Sequence, residues 1–309
     1  MKKPLLILTL FISFTGAAQT GLDSLWSVWN NSAQPDTNRL KAMKQISWDG
    51  YLFTQPDSAF YFAQLQYELA KQKNEKKHMA TALNTQGVSF YFQGDYAKAI
   101  EYYTKSLIIK EKIGDKKGVA DSHNNIGLIY QGQEDHAKAM EYYKKSVSIR
   151  EEIGDKKGMA RAFNNIGTLY YYHGDYVKAI EYYTNSLNIK EEIGDKKDVA
   201  SSLNNIGNAW KAQGQYTKAM DYFTKSLFIN EELGNKKGLS TSLNNIGNIY
   251  YYQDNYVKAK YFGLRALNSA QESGAAVEIE NASKALSQAY KKLDNYKESL
   301  AMYELYISM

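Results

Sequence analysis

The sequence predicts an all-α solenoid of stacked helix–turn–helix units, and three observations lead there. The stretch Asn124-Asn125-Ile126-Gly127-Leu128-Ile129-Tyr130 returns every forty residues, at 164, 204 and 244, with a looser copy at Asn84-Thr85-Gln86-Gly87. A fixed period of this length marks stacked supersecondary units. Within each period a glycine (Gly87, Gly127, Gly167, Gly207, Gly247) and an alanine (Ala99, Ala139, Ala179, Ala219, Ala259) recur twelve residues apart. Finally, Gly114-Asp115-Lys116-Lys117-Gly118 and its copies at 154 and 194 punctuate the periods; the first glycine suits a helix C-terminus and the aspartate suits the cap of the next helix.

Residues 1–18 read as a secretory signal: Lys2 and Lys3, an apolar run from Leu5 to Phe14, then Gly16 and Ala18 before Gln19. The apolar run is too short to span a bilayer, so the expectation is a chain exported to the periplasm or the extracellular space and cleaved near Ala18. Residues 19–38 are rich in Ser, Asn, Gln and Asp around Trp26 and Trp29, without a sustained period, and read as a leader segment. Residues 39–79 form a degenerate first repeat, in which Pro56 fits the first turn of a helix running from Asp57 to Lys73.

Residues 80–279 hold five repeats of forty residues. In the first helix of each, position 123 and Ile126, Gly127 and Tyr130 lie on one stripe. In the second, Ala139, Met140, Tyr143, Ser146, Val147 and Ile149 make a broad apolar face. Neither stripe can be covered within one hairpin, so neighbouring hairpins must stack. A glycine inside a helix costs about 1 kcal/mol relative to alanine. Its recurrence predicts a close approach of the second helix, with the recurrent alanine as the small residue facing it. Residues 280–309 make an incomplete last repeat. Its Leu300, Met302, Tyr303, Leu305, Tyr306 and Ile307 do not provide a polar cap, which leads us to expect either a longer natural chain or docking, self-association included, at this end.

The composition narrows the function classes. Thirty-eight basic against 33 acidic residues give a net charge of +5 with both signs interleaved, which does not predict a nucleic-acid partner. The absence of cysteine removes disulfides, thiolate catalysis and a lipid-modified cysteine. His78, His123, His136 and His173 fall at different places in their repeats, so no metal site is expected. The pairs Glu151-Glu152, Glu191-Glu192 and Glu231-Glu232 read as solvated helix ends rather than an acid and base. No phosphate loop or nucleophile motif appears; the chain is expected to be neither an enzyme nor a cofactor protein.

The candidate binding residues are positions of the first helix outside the buried stripe. They are Asn84, Asn124, Asn164, Asn204 and Asn244, then Asn208 and Asn248 beside Leu128 and Thr168, then Tyr91, Tyr171, Lys211 and Tyr251 beside Gln131. An amide offers donor and acceptor together, so the asparagines could read the backbone of an extended ligand or hydrogen-bond between adjacent repeats; the residues leave both roles open. The tyrosines could grip an apolar side chain, or a sugar.

The repeat beginning at Ala160 places Phe163, Ile166, Gly167, Tyr170, Ala179, Tyr183 and Ser186 at spacings that resemble the tetratricopeptide repeat (TPR) family, in its longer forty-residue variety, with Glu191 where the family's closing proline would stand. The resemblance implies a right-handed superhelix whose concave groove, lined by the first helices, takes a protein or peptide segment, and hence a scaffold or adaptor. A full carboxylate clamp is not expected, because only Arg161 and Lys211 supply cations at the relevant spacing. More weakly, the array is similar to those preceding a membrane helix and a histidine-kinase or cyclase module in bacterial envelope sensors. Such a context would bring a membrane in only indirectly.

Overall fold

The computed structural model describes residues 16–309, and of residues 16–20 only the backbone. The expected signal sequence therefore lies outside the described residues except for its last three positions. Among the described residues there are fifteen α-helices, one π-helical turn and no strand. By contacts the chain divides after Gln133, and each part is described by itself.

The first part holds α1 (Gly16–Asn30), α2 (Asp36–Gln45), the π-helical turn Ile46–Tyr51, α3 (Pro56–Gln72), α4 (Lys76–Phe92), α5 (Tyr96–Lys112) and α6 (Lys116–Gly132). The stretch expected to be a leader without period is helical in α1. What holds it is cross-element contact: Trp26 meets the Phe62 ring edge-on at 5.1 Å, and Arg39 donates to the Trp29 carbonyl at 2.9 Å while its guanidinium lies over the Trp29 ring. The degenerate repeat pairs α2 and its π-helical extension with α3, which Pro56 opens as expected.

The second part holds α7 (His136–Glu152), α8 (Lys156–Tyr172), α9 (Tyr176–Glu192), α10 (Lys196–Ala212), α11 (Tyr216–Glu232), α12 (Lys236–Tyr252), α13 (Tyr256–Ser273), α14 (Ala276–Lys292) and α15 (Tyr296–Ser308). Consecutive helices pack on one another. Two core clusters run through it, one around Ala179, Tyr183, Leu187 and Ile206 and one around Phe223, Leu243, Ile246, Ala266 and Leu286. At the last helix Met302 and Leu305 turn inward, while Leu300, Tyr303 and Ile307 stand exposed.

The forty-residue clock has a simple origin. Helices α4 to α12 are each 17 residues long, and a three-residue turn separates each from the next. The middle residue of the turn is left-handed, as at Gly94 with φ 76° and Gly174 with φ 80°, and glycine takes that conformation without a Cβ penalty. The following amide closes the helix end, Asp95 N donating to the Phe90 carbonyl at 2.9 Å. Asp95, Asp115, Asp155 and Asp175 then cap the next helix by accepting from the backbone amide three residues on. Asp195 and Asn235 cap in the same way, and the exposed lysine after each pairs with the far end of the same hairpin, Lys196 with Glu232 at 2.5 Å and Lys236 with Glu272 at 2.7 Å.

The recurrent glycine does not face the alanine as expected. A Cβ on Gly87 would lie 2.8 Å from the Tyr103 ring, on Gly167 2.7 Å from Tyr183 and on Gly207 2.5 Å from Phe223. The aromatic one turn beyond the alanine lays its ring on the bare glycine backbone, and the alanine is buried beside it. At Gly247, where Gly263 replaces the aromatic, the nearest atom is the carbonyl oxygen of Ala259, at 3.3 Å.

A second recurrent feature is polar and buried. Ser106, Ser186 and Ser226 each donate to the carbonyl of Ala80, Ala160 and Ala200 respectively, at 2.7–2.8 Å. One turn on, Lys110 donates to Ser122 at 2.9 Å and Lys190 to Ser202 at 2.7 Å; burial pushes both ammonium pKa values down. In the repeat between them Arg150, 2% exposed, pairs with Asp155 at 2.5 Å.

Candidate binding face of the second part

Along α8, α10 and α12 the candidate residues fall into two groups. The first is an asparagine ladder: Asn205 donates its amide to the Asn164 side-chain oxygen at 2.9 Å, and Asn245 to that of Asn204 at 3.4 Å. In the first part Asn125 reaches Asn84 in the same way at 3.3 Å. The donor is always the second asparagine of the following repeat, 41 residues on. Asn204, expected on the open face, is only 7% exposed, and its own amide is used on Ser226 at 2.8 Å and Ser242 at 3.1 Å. It is drawn into the core because the serines of its own and the next repeat converge there. Asn244 ends the series. Its side-chain oxygen is buried without a partner, and Ala285 stands where the next donor would be.

The second group is open. A pocket of about 300 Å³ is lined by Thr168, Tyr171 and Tyr172 of α8, Tyr183 of α9, and Asn205 and Asn208 of α10. Its floor is fixed: Tyr183 donates to the Thr168 hydroxyl at 3.1 Å, and Thr168 donates to the Asn164 carbonyl at 2.9 Å. Burial pushes the Tyr183 phenol up to about 12, so it remains a neutral donor. Burial also raises Tyr171, with smaller contributions from the neighbouring Tyr176, Tyr172 and Tyr252 hydroxyls. Asn208 and Asn248 are half-exposed and their side chains make no hydrogen bond.

The tyrosines come in sets. Tyr171 meets Tyr172 at 5.7 Å and Tyr176 at 5.5 Å between centroids; Tyr251 meets Tyr252 at 6.1 Å and Tyr256 at 5.4 Å. In the first part Tyr91, Phe92 and Tyr96 repeat the arrangement at 5.6 and 5.8 Å. The intervening repeats carry Gln131-Gly132 and Lys211-Ala212 at the same places. The sets therefore recur every eighty residues, a doubled period present in the sequence as aromatic pairs alternating with a long polar residue followed by a small one. Tyr172 and Tyr183 line the pocket but were not among the candidates of the forty-residue reading; Tyr172 is 72% exposed.

Lys211 lies one helical turn beyond Asn208. It is half-buried and has no carboxylate within ion-pair distance, and burial alone lowers its pKa. The structure also brings together two histidines that the sequence keeps apart: the rings of His136 and His173 are 5.0 Å apart, edge to face. Among the described residues there is no group of three or more His, Cys, Asp or Glu side chains suited to a metal ion. No helix among them is long and apolar enough to cross a membrane.

Comparison with known proteins places this geometry. No curated protein matches the sequence. Among solved structures, the apo form of RapI aligns with a TM-score of 0.66 at 17% identity, over 87% of this chain and 96% of that one. Aspartyl phosphate phosphatase F from Bacillus subtilis aligns at 0.65 and 14%, over 97% and 95%. A signal transduction ATPase with numerous domains (STAND) carrying a tetratricopeptide repeat sensor, from Pyrococcus horikoshii, aligns at 0.63 and 18%, over 93% of this chain and 48% of that one. At these identities the likeness is one of fold. The tetratricopeptide repeat model itself matches residues 78–152, 158–232 and 198–272, more than half of the sequence, and with the helix pairs, the turns and the aromatic-on-glycine contacts it shows that the chain belongs to the tetratricopeptide repeat family.

Proposed function

We propose that this TPR scaffold is exported and holds an extended protein or peptide segment against the first helices of its second part. The observation that carries the reading is the pocket on Tyr171, Tyr172, Tyr183, Thr168, Asn205 and Asn208. Rings there can bury an apolar side chain, while the uncommitted amides of Asn208 and Asn248 offer donor and acceptor to a passing backbone. A concave site with a few converging polar groups is the usual form of a binding pocket. The bonds of the ladder support a division of labour in which Asn164, Asn204 and their partners hold the stack and the open amides meet the ligand. A structural neighbour, a Rap protein complexed with Competence and Sporulation Factor, aligns at a TM-score of 0.59 and 14% identity; a similar fold thus receives a separate factor.

Catalysis has no place in this reading. No histidine, cysteine or carboxylate lines the pocket, and tyrosines with raised pKa values are poor bases at neutral pH. The likeness to a phosphatase at 14% identity bears on the fold alone.

The test is a peptide selected from a display library against residues 19–309. Tyr172→Ala, at a ring 72% exposed, and Asn208→Ala each weaken it by about tenfold or more, the equivalent of about 1.4 kcal/mol, with melting unchanged. A selected peptide indifferent to both substitutions rejects the site. Export is tested by N-terminal sequencing of secreted protein, which should begin near Gln19; full-length chain retained in the cytoplasm would reject it. A second reading, the sensor portion of a signalling protein, is favoured by the alignment of 93% of this chain with a STAND protein that carries a TPR sensor.

A further inference from the structure

Lys211 is the one charged residue among the groove candidates, and its surroundings are unlike those of the other buried cations. Lys110 and Lys190 donate to serines and Arg150 is paired with Asp155. Lys211 has no ion-pair or hydrogen-bond partner, and its lowered pKa has burial as its only cause. Taking a charge partly out of water without compensation is unfavourable, which makes the position receptive to an anion. Around it the eighty-residue alternation places a small residue, Ala212, beside the lysine and a tyrosine pair in the repeat on either side, Tyr171-Tyr172 before and Tyr251-Tyr252 after. These pairs are near enough that Tyr252 acts electrostatically on Tyr171. Tyr172 and Tyr252 are 72% and 56% exposed, and Tyr252 is braced from behind by parallel stacking on Tyr216 at 5.8 Å.

We propose that the second part recognises an internal acidic residue of an extended peptide, its carboxylate seated on the Lys211 ammonium and apolar or aromatic side chains on both sides of it gripped by Tyr171-Tyr172 and Tyr251-Tyr252. The commitment to a side-chain carboxylate follows from symmetry: aromatic grips lie on both sides of the cation, so the ligand chain continues in both directions. A chain terminus would use one side only, and a single ammonium gives it no second cation. The carboxylate is also the complement this site lacks, because a charge-assisted hydrogen bond compensates a buried ammonium more strongly than a neutral acceptor does.

This inference rests on the proposed peptide-binding function, and the experiment separates the two. A pool of peptides, acetylated and amidated at the ends and randomised around a central Glu, competes with the same pool carrying Gln, and the fraction retained by residues 19–309 is sequenced. We expect the Glu members to be enriched by about tenfold or more, with Tyr, Phe or Leu favoured on both sides of the centre and the preference diminishing at high salt. Lys211→Met removes the preference while its melting temperature holds or rises; Lys211→Gln gives the same reading if the methionine variant folds poorly. Equal retention of Glu and Gln peptides, or a preference that survives in both variants, overturns the acidic-residue inference while leaving peptide binding standing. An acidic preference that appears only with uncapped peptides overturns it in favour of a terminal carboxylate. Retention of no peptide from either pool overturns both readings.

Discussion

Alanine at Gly207 and alanine at Gly247 are the same substitution at equivalent places in successive repeats, yet they should have opposite effects. At Gly207 the new Cβ would stand 2.5 Å from Cε1 and 2.7 Å from Cδ1 of Phe223, where ordinary carbon contacts are about 3.5–4.0 Å. The ring has to retreat by about 1 Å, and Phe223 is fully buried, so the crowding is of the overpacking kind that costs about 1–3 kcal/mol. Helix propensity returns about 1 kcal/mol, leaving Gly207→Ala destabilised by up to about 2 kcal/mol. At Gly247 the nearest atoms are 3.3, 3.4 and 3.5 Å away. There the crowding is slight and the same propensity gain makes Gly247→Ala neutral or stabilised by up to about 1 kcal/mol. Urea titration followed by circular dichroism gives the two midpoints. Stacked repeats need not unfold in one step, so amide exchange on α10 and α12 should localise each change. Shifts of equal sign and size in the two variants would refute the ring-on-glycine explanation for the recurrent glycine.

Three other perturbations follow from the buried polar spine, the ladder and the caps. Arg150→Ala strands Asp155, 12% exposed, and should lower stability by about 3–5 kcal/mol, whereas Lys190→Met removes a charge that donates to Ser202 and has Asp195 and Asp198 only at longer range, and should cost much less; a comparable loss in both by urea titration would mean that the ion pair contributes nothing special. Ala285→Asn offers the orphaned Asn244 oxygen a donor in the register of the ladder, and should stabilise by about 1 kcal/mol; no gain, with Asn244 still unbonded in a crystal structure, would show that the register is lost at α14. The hydrogen bond from the Lys98 side chain holds Asp95 below its usual 3.8, the Lys178 side chain does the same for Asp175, and for Asp135 the backbone amide of Lys138 is the main cause. A carboxylate whose folded pKa is depressed contributes stability that is complete above the unfolded value and lost as pH falls through the folded one. The melting temperature should therefore decline below about pH 4, and less steeply when all three are replaced by asparagine, which makes the same cap bond at Asn235 and Asn255; identical acid profiles would remove the caps from the explanation.

Much of this was legible in the chain because periodicity is a local signal. The position of every turn in residues 80–279 could be read from Gly-Asp pairs and their variants, and Pro56 opened the helix expected of it. The leader was not legible, since Trp26 and Trp29 are held by Phe62 and Arg39, contacts that leave no period behind. Pairing glycine with alanine failed for a geometric reason: matching small residue to small residue ignored that a flat ring one turn away fits the same gap. Tyr171 and Asn208 were legible as candidates and the structure puts both on the wall of one pocket, but which amides stay open was not legible. Whether an amide is open or spent depends on neighbours 22, 38 and 41 residues away, and Asn204 looks like Asn164 until Ser226 and Ser242 are seen around it.

The doubled aromatic period also constrains how such a chain can change length. Loss or duplication of one forty-residue repeat would leave the helices, turns and ladder bonds in register, since these return every forty residues. It would nevertheless set two tyrosine pairs side by side, or two of the non-aromatic pairs, and so remove the alternation around Lys211 while every remaining interface kept its register. Change by eighty residues keeps both periods. On the proposed reading of Lys211, the heritable module is two repeats long for recognition and one repeat long for folding, so homologues that keep this arrangement should differ in even numbers of repeats around it.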